Sequence, residues 1–257
     1  MDADYHVHSS YSDGSHLPWM VAAAAEAGLD GIGIADHANV SDRPAAERAT
    51  RRYAFTLDLT YERRRQAIES LAEEYDIEIF DAVEMDYHQA DEAQIAAFLE
   101  DADFEYAIGS VHEIRGTNVH FPGPFEDLDH EGRREVLGEY VDRLVALIES
   151  ELFDVAAHVD IIERNPVFRG RIGESEYRRI AGALADSRTV PEINAGRIDQ
   201  EYGRFHPRSD FLDVLREYDV DLTVGTDAHS PDALGNRVPS LRGLIEDRGI
   251  DPVSPLS

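Results

Sequence analysis

The chain contains no cysteine and no lysine. Without thiols there is no disulfide, no thiolate zinc site and no cysteine nucleophile. Without lysine, no carboxylated lysine can bridge a pair of cations. No apolar run approaches the roughly 20 residues of a membrane span. No basic segment followed by an apolar core opens the chain, so no signal peptide is read and a cytoplasmic protein is expected. Positive charge is scarce: 24 arginines stand against 53 aspartates and glutamates, a net charge of -29. That field disfavours long nucleic acids and acidic membranes, because phosphate backbones need a basic footprint. Acidic residues on every predicted helix face point to a halophilic surface, where salt screens self-repulsion. Net charge does not set the substrate, since a metal cluster can hold a phosphate inside an acidic shell.

What is present is a set of strand-like runs that end in metal-ligating residues. At 257 residues the chain fits one α/β barrel domain spanning 1–257. Seven strand candidates are read at 3–8, 31–36, 77–83, 105–111, 154–158, 190–194 and 220–226. Helical patterns alternate with them: Leu17–Ala27, Tyr61–Tyr75, Asp91–Leu99, Arg133–Glu149, Ser175–Asp186, Ser209–Glu217 and, after Pro239, Ser240–Arg248. That alternation predicts a parallel β/α barrel. Two long connections, 38–57 and 113–131, leave the same predicted face and are read as loops that could cover a substrate.

Six of the eleven histidines close apolar runs. His6 and His8 end the opening run, His37 follows Asp36, and His112, His158 and His229 stand after later runs. Glu84 and Asp227 hold equivalent positions. In such barrels reactive side chains collect at the carboxyl ends of the strands. His6-Val7-His8 alternates along a strand, so both imidazoles point the same way. Imidazoles and carboxylates gathered at one mouth bind divalent metal. Mixed nitrogen and oxygen donors suit zinc, iron or manganese rather than magnesium alone.

The ordered set His6-x-His8, Tyr11-Ser12-Asp13-Gly14, Ala35-Asp36-His37, Glu84-Met85-Asp86-Tyr87, Gly109-Ser110-Val111-His112, Ala157-His158-Val159-Asp160 and Gly225-Thr226-Asp227-Ala228-His229 resembles the polymerase and histidinol phosphatase (PHP) superfamily. The resemblance runs through nearly the whole chain. It implies a distorted (β/α)7 TIM-like barrel with three divalent metal ions at the C-terminal ends of the strands. His6, His8, Glu84 and Asp227 would hold the first ion. Glu84, shared with it, would hold the second together with His112 and His158. Asp13, His37 and His229 would hold the third. Asp36 is expected to orient a ligand from behind.

Cations sharing a carboxylate such as Glu84 acidify a water held between them, and a third can neutralise phosphoryl oxygens. This division suits hydrolysis of a small phosphate monoester by metal-bridging hydroxide. His206 and Asp160 are candidate proton donors to the leaving alkoxide. Glu192-Ile193-Asn194-Ala195-Gly196-Arg197 resembles the Glu-x-Asn segment of histidinol-phosphatase members, where a following arginine contacts phosphate. Arg197 is therefore the first expected phosphate ligand, followed by Arg164 and Arg115. Ala195 replaces the serine or threonine expected after Asn194. The resemblance is nearest to stand-alone histidinol phosphatases and implies hydrolysis of histidinol phosphate in histidine biosynthesis.

Three other readings are compatible with parts of this pattern. A PHP phosphoesterase could act on a nucleotide or oligonucleotide end. A metal-dependent amidohydrolase also opens with His-x-His and ends with aspartate. A non-catalytic metal-binding module would need the ligands but no open mouth.

Overall fold

Each strand run is too apolar to face water on both sides, and pairing side by side buries it. A computed structural model describes residues 1–256 of the chain. It comprises β1 (Ala3–Val7), α1 (Leu17–Glu26), β2 (Gly31–Ala38), α2 (Pro44–Tyr53), α3 (Leu57–Ala72), β3 (Glu78–Asp86), α4 (Glu92–Ala102), β4 (Tyr106–Ser110), β5 (Glu113–Ile114), β6 (Thr117–Asn118), α5 (Gly123–Glu126), α6 (His130–Glu149), β7 (Val155–Ala156), α7 (Glu174–Ala185), β8 (Val190–Asn194), α8 (Ser209–Glu217), β9 (Thr223–Gly225) and α9 (Pro231–Arg248). Seven strands form one parallel sheet in the order β1-β2-β3-β4-β7-β8-β9. No helix among the described residues is long and apolar enough to cross a membrane.

The sheet nearly closes into the expected barrel. At the mouth, Asp227 N donates to His6 O at 2.8 Å and His8 N to Ala228 O at 2.9 Å. Lower down, the buried Asp4 carboxylate completes the seam by accepting from Thr226 N at 2.9 Å and from the Thr226 hydroxyl. Tyr106 crosses the barrel from β4 and donates to Tyr5 O at 2.6 Å. A methyl group on Gly33 would lie 1.6 Å from the Tyr106 hydroxyl, so only glycine fits there. Tyr106, Phe80, Ile108 and Val155 belong to one apolar cluster. Larger apolar clusters join the strands to the helices that cover them.

Several sequence-based boundaries need correction. β2 and β3 run past their expected ends, so His37 and Glu84 lie within paired strands, opposite each other in register. The expected strand 154–158 is only Val155–Ala156, because His158 has φ +27° and leaves the extended conformation. The expected strand 220–226 shortens to Thr223–Gly225. Neither long connection is a bare loop: 38–57 carries α2, whereas 113–131 carries the β5–β6 hairpin and α5. These two excursions are tied together, as Arg43 reaches Glu113 at 3.5 Å, and Arg43 also pairs with Asp91, just ahead of α4, at 2.8 Å. α9 begins at Pro231, capped by Ser230, and Pro239 lies inside it rather than ahead of it. Its start is fixed by the Ser230 hydroxyl accepting from Ala233 N, a signal that outweighs one missing backbone donor at an exposed turn.

Candidate metal centre

Strand alternation and barrel closure bring all nine residues of the expected ligand set into one cluster at the mouth. Glu84 is its hub. Glu84 Oε2 lies 2.9 Å from His37 Nδ1, 3.4 Å from His6 Nε2 and 3.5 Å from His8 Nε2. Glu84 Oε1 lies 3.1 Å from His158 Nε2 and 3.5 Å from His112 Nε2. Asp13 Oδ1 lies 3.2 Å from His229 Nε2 and 3.8 Å from His37 Nε2. Asp227 Oδ1 stands 3.5 Å from His8 Nε2.

Three subsets have one donor atom per residue within 4.8 Å of the others: His8, Asp13, His37 and His229; His6, His8 and Asp227; and His37, Glu84 and His112. These overlap the partition that the resemblance implies but differ from it: His8 also joins Asp13, His37 and His229, Glu84 is not grouped with His6, His8 and Asp227, and His37 stands beside Glu84 and His112 where His158 was expected. His8 lies between its neighbours, with ring centroids 4.1 Å from His229 and 4.5 Å from His37.

The donor set fits divalent cations. His8 and His158 are pushed down to about 4, foremost by burial and then by neighbouring cationic groups, so they are neutral at neutral pH. Nδ1 of both rings is buried without a hydrogen-bond partner. Burial alone would lower His37 too, but the Glu84 carboxylate holds it up at about 10. Burial would raise Glu84 and Asp227, yet the surrounding histidines keep both well below the usual carboxylate range. A compact group of anionic oxygens and imidazole nitrogens is what a divalent cation would stabilise.

Groups behind the cluster fix ring orientation. His6 Nδ1 faces Glu192 Oε2 at 2.9 Å and His112 Nδ1 faces Asp86 Oδ1 at 2.7 Å. His229 Nδ1 meets Asp227 O at 3.0 Å. Such contacts on one ring nitrogen aim the other at a metal. Asp36 does something different from orienting a histidine. It accepts from Ser9 N at 2.7 Å, Ser9 Oγ at 2.6 Å, Ser12 Oγ at 2.7 Å and Arg64 Nη1 at 2.9 Å. It thereby fastens the turn that presents Asp13. Asp227 itself has φ +51°, and Arg237 donates to its carbonyl at 2.8 Å.

The cluster faces a cavity of about 720 Å³. Arg164 and Arg197 line it. Arg164 Nη2 reaches Asp227 Oδ2 at 3.3 Å, whereas the Arg197 guanidinium bonds only the neutral Gln200 side chain, at 2.6 Å, among the described residues. A methyl group on Gly196 would fall 2.1 Å from Asp227 Oδ2, so close approach of these loops requires glycine.

Three expected site residues are placed elsewhere. Arg115 is turned outward and pairs with Glu139 at 2.9 Å and Glu135 at 3.3 Å, away from the cavity lining. His206 and Asp160 are fully buried behind Arg164. His206 Nδ1 contacts Asp160, and its Nε2 accepts from Arg164 Nε at 2.9 Å. With both nitrogens engaged, His206 is no proton donor to a leaving group; it holds the guanidinium. Residues missed from the sequence include His120, Phe55, Phe121 and Asp232, all lining the cavity. They stand on the two excursions and at the start of α9, where no strand-end signal marks them. Glu192 lay within the quoted Glu-x-Asn segment, but its contact with His6 spans 186 positions and is invisible locally.

The family described as PHP domain matches residues 4–195. A histidinol-phosphatase of Lactococcus lactis subsp. lactis is 28% identical over 267 aligned positions, covering 99% of this chain and 94% of the relative. A Deinococcus radiodurans protein named "Probable histidinol-phosphatase" is 24% identical, covering 88% and 85% respectively. A Clostridium acetobutylicum protein of the same name is 23% identical, covering 59% of this chain and 60% of that protein. The crystal structure of histidinol phosphate phosphatase from Lactococcus lactis subsp. lactis, complexed with zinc, L-histidinol and phosphate, superimposes with a TM-score of 0.78 and 25% identity. That superposition covers all of this chain and 97% of the other.

Proposed function

Because the chain belongs to the PHP domain family, we propose that it is a metal-dependent phosphomonoesterase that hydrolyses histidinol phosphate to histidinol and phosphate. One observation carries this reading. Six imidazoles and three carboxylates meet around Glu84 at the floor of a cavity that Arg164 and Arg197 also line. His6, His8, Glu84 and Asp227 would hold one cation, Glu84, His112 and His158 a second, and Asp13, His37 and His229 a third. Zinc is the metal in the related crystal structure, and iron or manganese would suit the same donors. Bound divalent cations would supply Lewis acidity and offset phosphoryl charge.

The chain's own side chains do the rest. Arg164 and Arg197 would grip phosphoryl oxygens through their planar forks. Asp160 and His206 hold the Arg164 guanidinium in place from behind. Glu192 and Asp86 keep His6 and His112 aimed inward. Phosphate release from histidinol phosphate and nucleoside monophosphates, and chromophore release from a chromogenic amide, each with zinc, manganese or iron added, test the reading. Histidinol phosphate is expected to be the preferred substrate. Preference for a nucleotide or for the amide rejects it.

The halophilic surface is part of the same proposal. A net charge of -29 is self-repelling, so raising potassium chloride should raise the thermal midpoint. Thermal unfolding from about 0.1 M to about 2 M salt measures this, since screening is nearly complete at the upper end. A midpoint that falls or stays level contradicts it.

A further inference from the structure

Tyr53 and Phe121 are 43% and 49% exposed, and both line the catalytic cavity. Large apolar side chains left in water at the lip of a binding cavity mark a contact surface. Tyr53 ends α2, while Phe121 stands on the second excursion, between the β5–β6 hairpin and α5. The two excursions are joined through Arg43 and Glu113. The Tyr53 and Phe55 rings stack with centroids 5.6 Å apart and planes 20° apart. Phe55 in turn stacks on His37 at 4.9 Å and 24°. A ladder of near-parallel rings therefore descends from the lip to the metal cluster. The cavity has an aromatic side on these excursions and a cationic pair in Arg164 and Arg197. Apolar walls with a few placed charges are the usual make-up of a small-molecule site.

We propose that Tyr53, Phe55 and Phe121 form a stacking rim that selects phosphate monoesters whose leaving alcohol carries a flat ring. This rests on the phosphatase reading of the same cavity. The arginines bind what all phosphate esters share. The rim binds what distinguishes histidinol phosphate from a plain alkyl phosphate, its imidazole. Offset stacking rewards a planar ring at centroid distances of about 4.5–7 Å, and a protonated imidazole adds attraction to the ring face. An aliphatic chain of similar length gains neither.

Phe55 touches His37, so the test uses Tyr53→Ala, Phe121→Ala and the double variant of the zinc-loaded enzyme. The double variant should raise KM for histidinol phosphate about tenfold while kcat changes less than about twofold. Calorimetric binding of histidinol should weaken in parallel, and the inhibition constant for inorganic phosphate should not move. Trp19→Ala, an exposed aromatic outside the cavity lining, should retain wild-type values. An unchanged KM for histidinol phosphate overturns the rim. So does an inhibition constant for phosphate that rises with KM, because the variants would then have damaged the phosphate site. Failure of the wild type to release phosphate from any ester overturns the phosphatase reading and the rim with it.

Discussion

Asp227→Ala is expected to lower phosphate release from histidinol phosphate by about a thousandfold, the scale of losing a group that organises charge at the reacting phosphate. Asp227 occupies two positions at once. Its Oδ1 faces His8 Nε2 at 3.5 Å within the metal-ligating subset, and its Oδ2 accepts from Arg164 at 3.3 Å. Truncation removes an oxygen donor from the cluster and frees the guanidinium expected to meet the phosphate. The backbone there needs no new support, because Arg237 still holds the carbonyls of residues 226 and 227. Zinc content after reconstitution should drop together with turnover. Asp227→Asn separates charge from shape: the amide keeps the volume but lacks the anionic oxygen. Turnover unchanged in Asp227→Ala would reject the proposed mechanism.

The second large effect is on stability. Arg64 is the largest fully buried side chain, and its guanidinium reaches Asp36 at 2.9 Å and Asp81 at 2.7 Å. Arg64→Met keeps most of the volume but leaves the Asp36 charge without its cation. Removing one partner of a buried ion pair costs about 3–5 kcal/mol, which for a chain of this size lowers the thermal midpoint by roughly 10 °C. The effect carries a pH signature. Burial by itself would raise the Asp36 carboxyl, but Arg64 and the Ser9 and Ser12 hydroxyls outweigh it and hold it below its ordinary value of 3.8. A depressed carboxyl stabilises the fold above that ordinary value and loses this contribution as pH falls toward the folded value. Without Arg64 the buried carboxyl protonates more readily, which relieves the variant in acid. The gap between wild type and variant should therefore be widest near neutrality and narrow below about pH 4. Thermal melts across that range check it. A constant gap would place the loss in packing rather than charge. Variants that melt normally but bind less zinc would mean instead that Arg64 acts mainly through the turn presenting Asp13.

How much of the centre was legible follows from where its signals lie. His6-x-His8 is local, because strand alternation alone puts both rings on one side. His112 and His158 stand just beyond short apolar runs, as expected, although His158 leaves the strand through an unusual backbone angle. The arginines expected to meet phosphate were only partly legible. Arg197 and Arg164 line the cavity, but Arg115 carries the same residue type and faces Glu139 instead. Residue type cannot decide which way a long flexible side chain points. His206 shows the same limit from the opposite side. Its chemistry suits a proton donor, and its place behind Arg164 forbids that use.

The sequence by itself determined the β/α alternation and the identities of the donors at its strand ends, because hydrophobic period and residue chemistry are properties of neighbouring positions. The absence of cysteine and lysine likewise settled which donors were available. Tertiary structure alone decided which groups stand behind them and which line the cavity. Glu192 meets His6, and Asp227 meets His8, only because a parallel sheet curls until its first and last strands join. The aromatic lip likewise depends on two excursions docking on each other, since ring stacking across separate segments leaves no periodic trace in the chain that forms it.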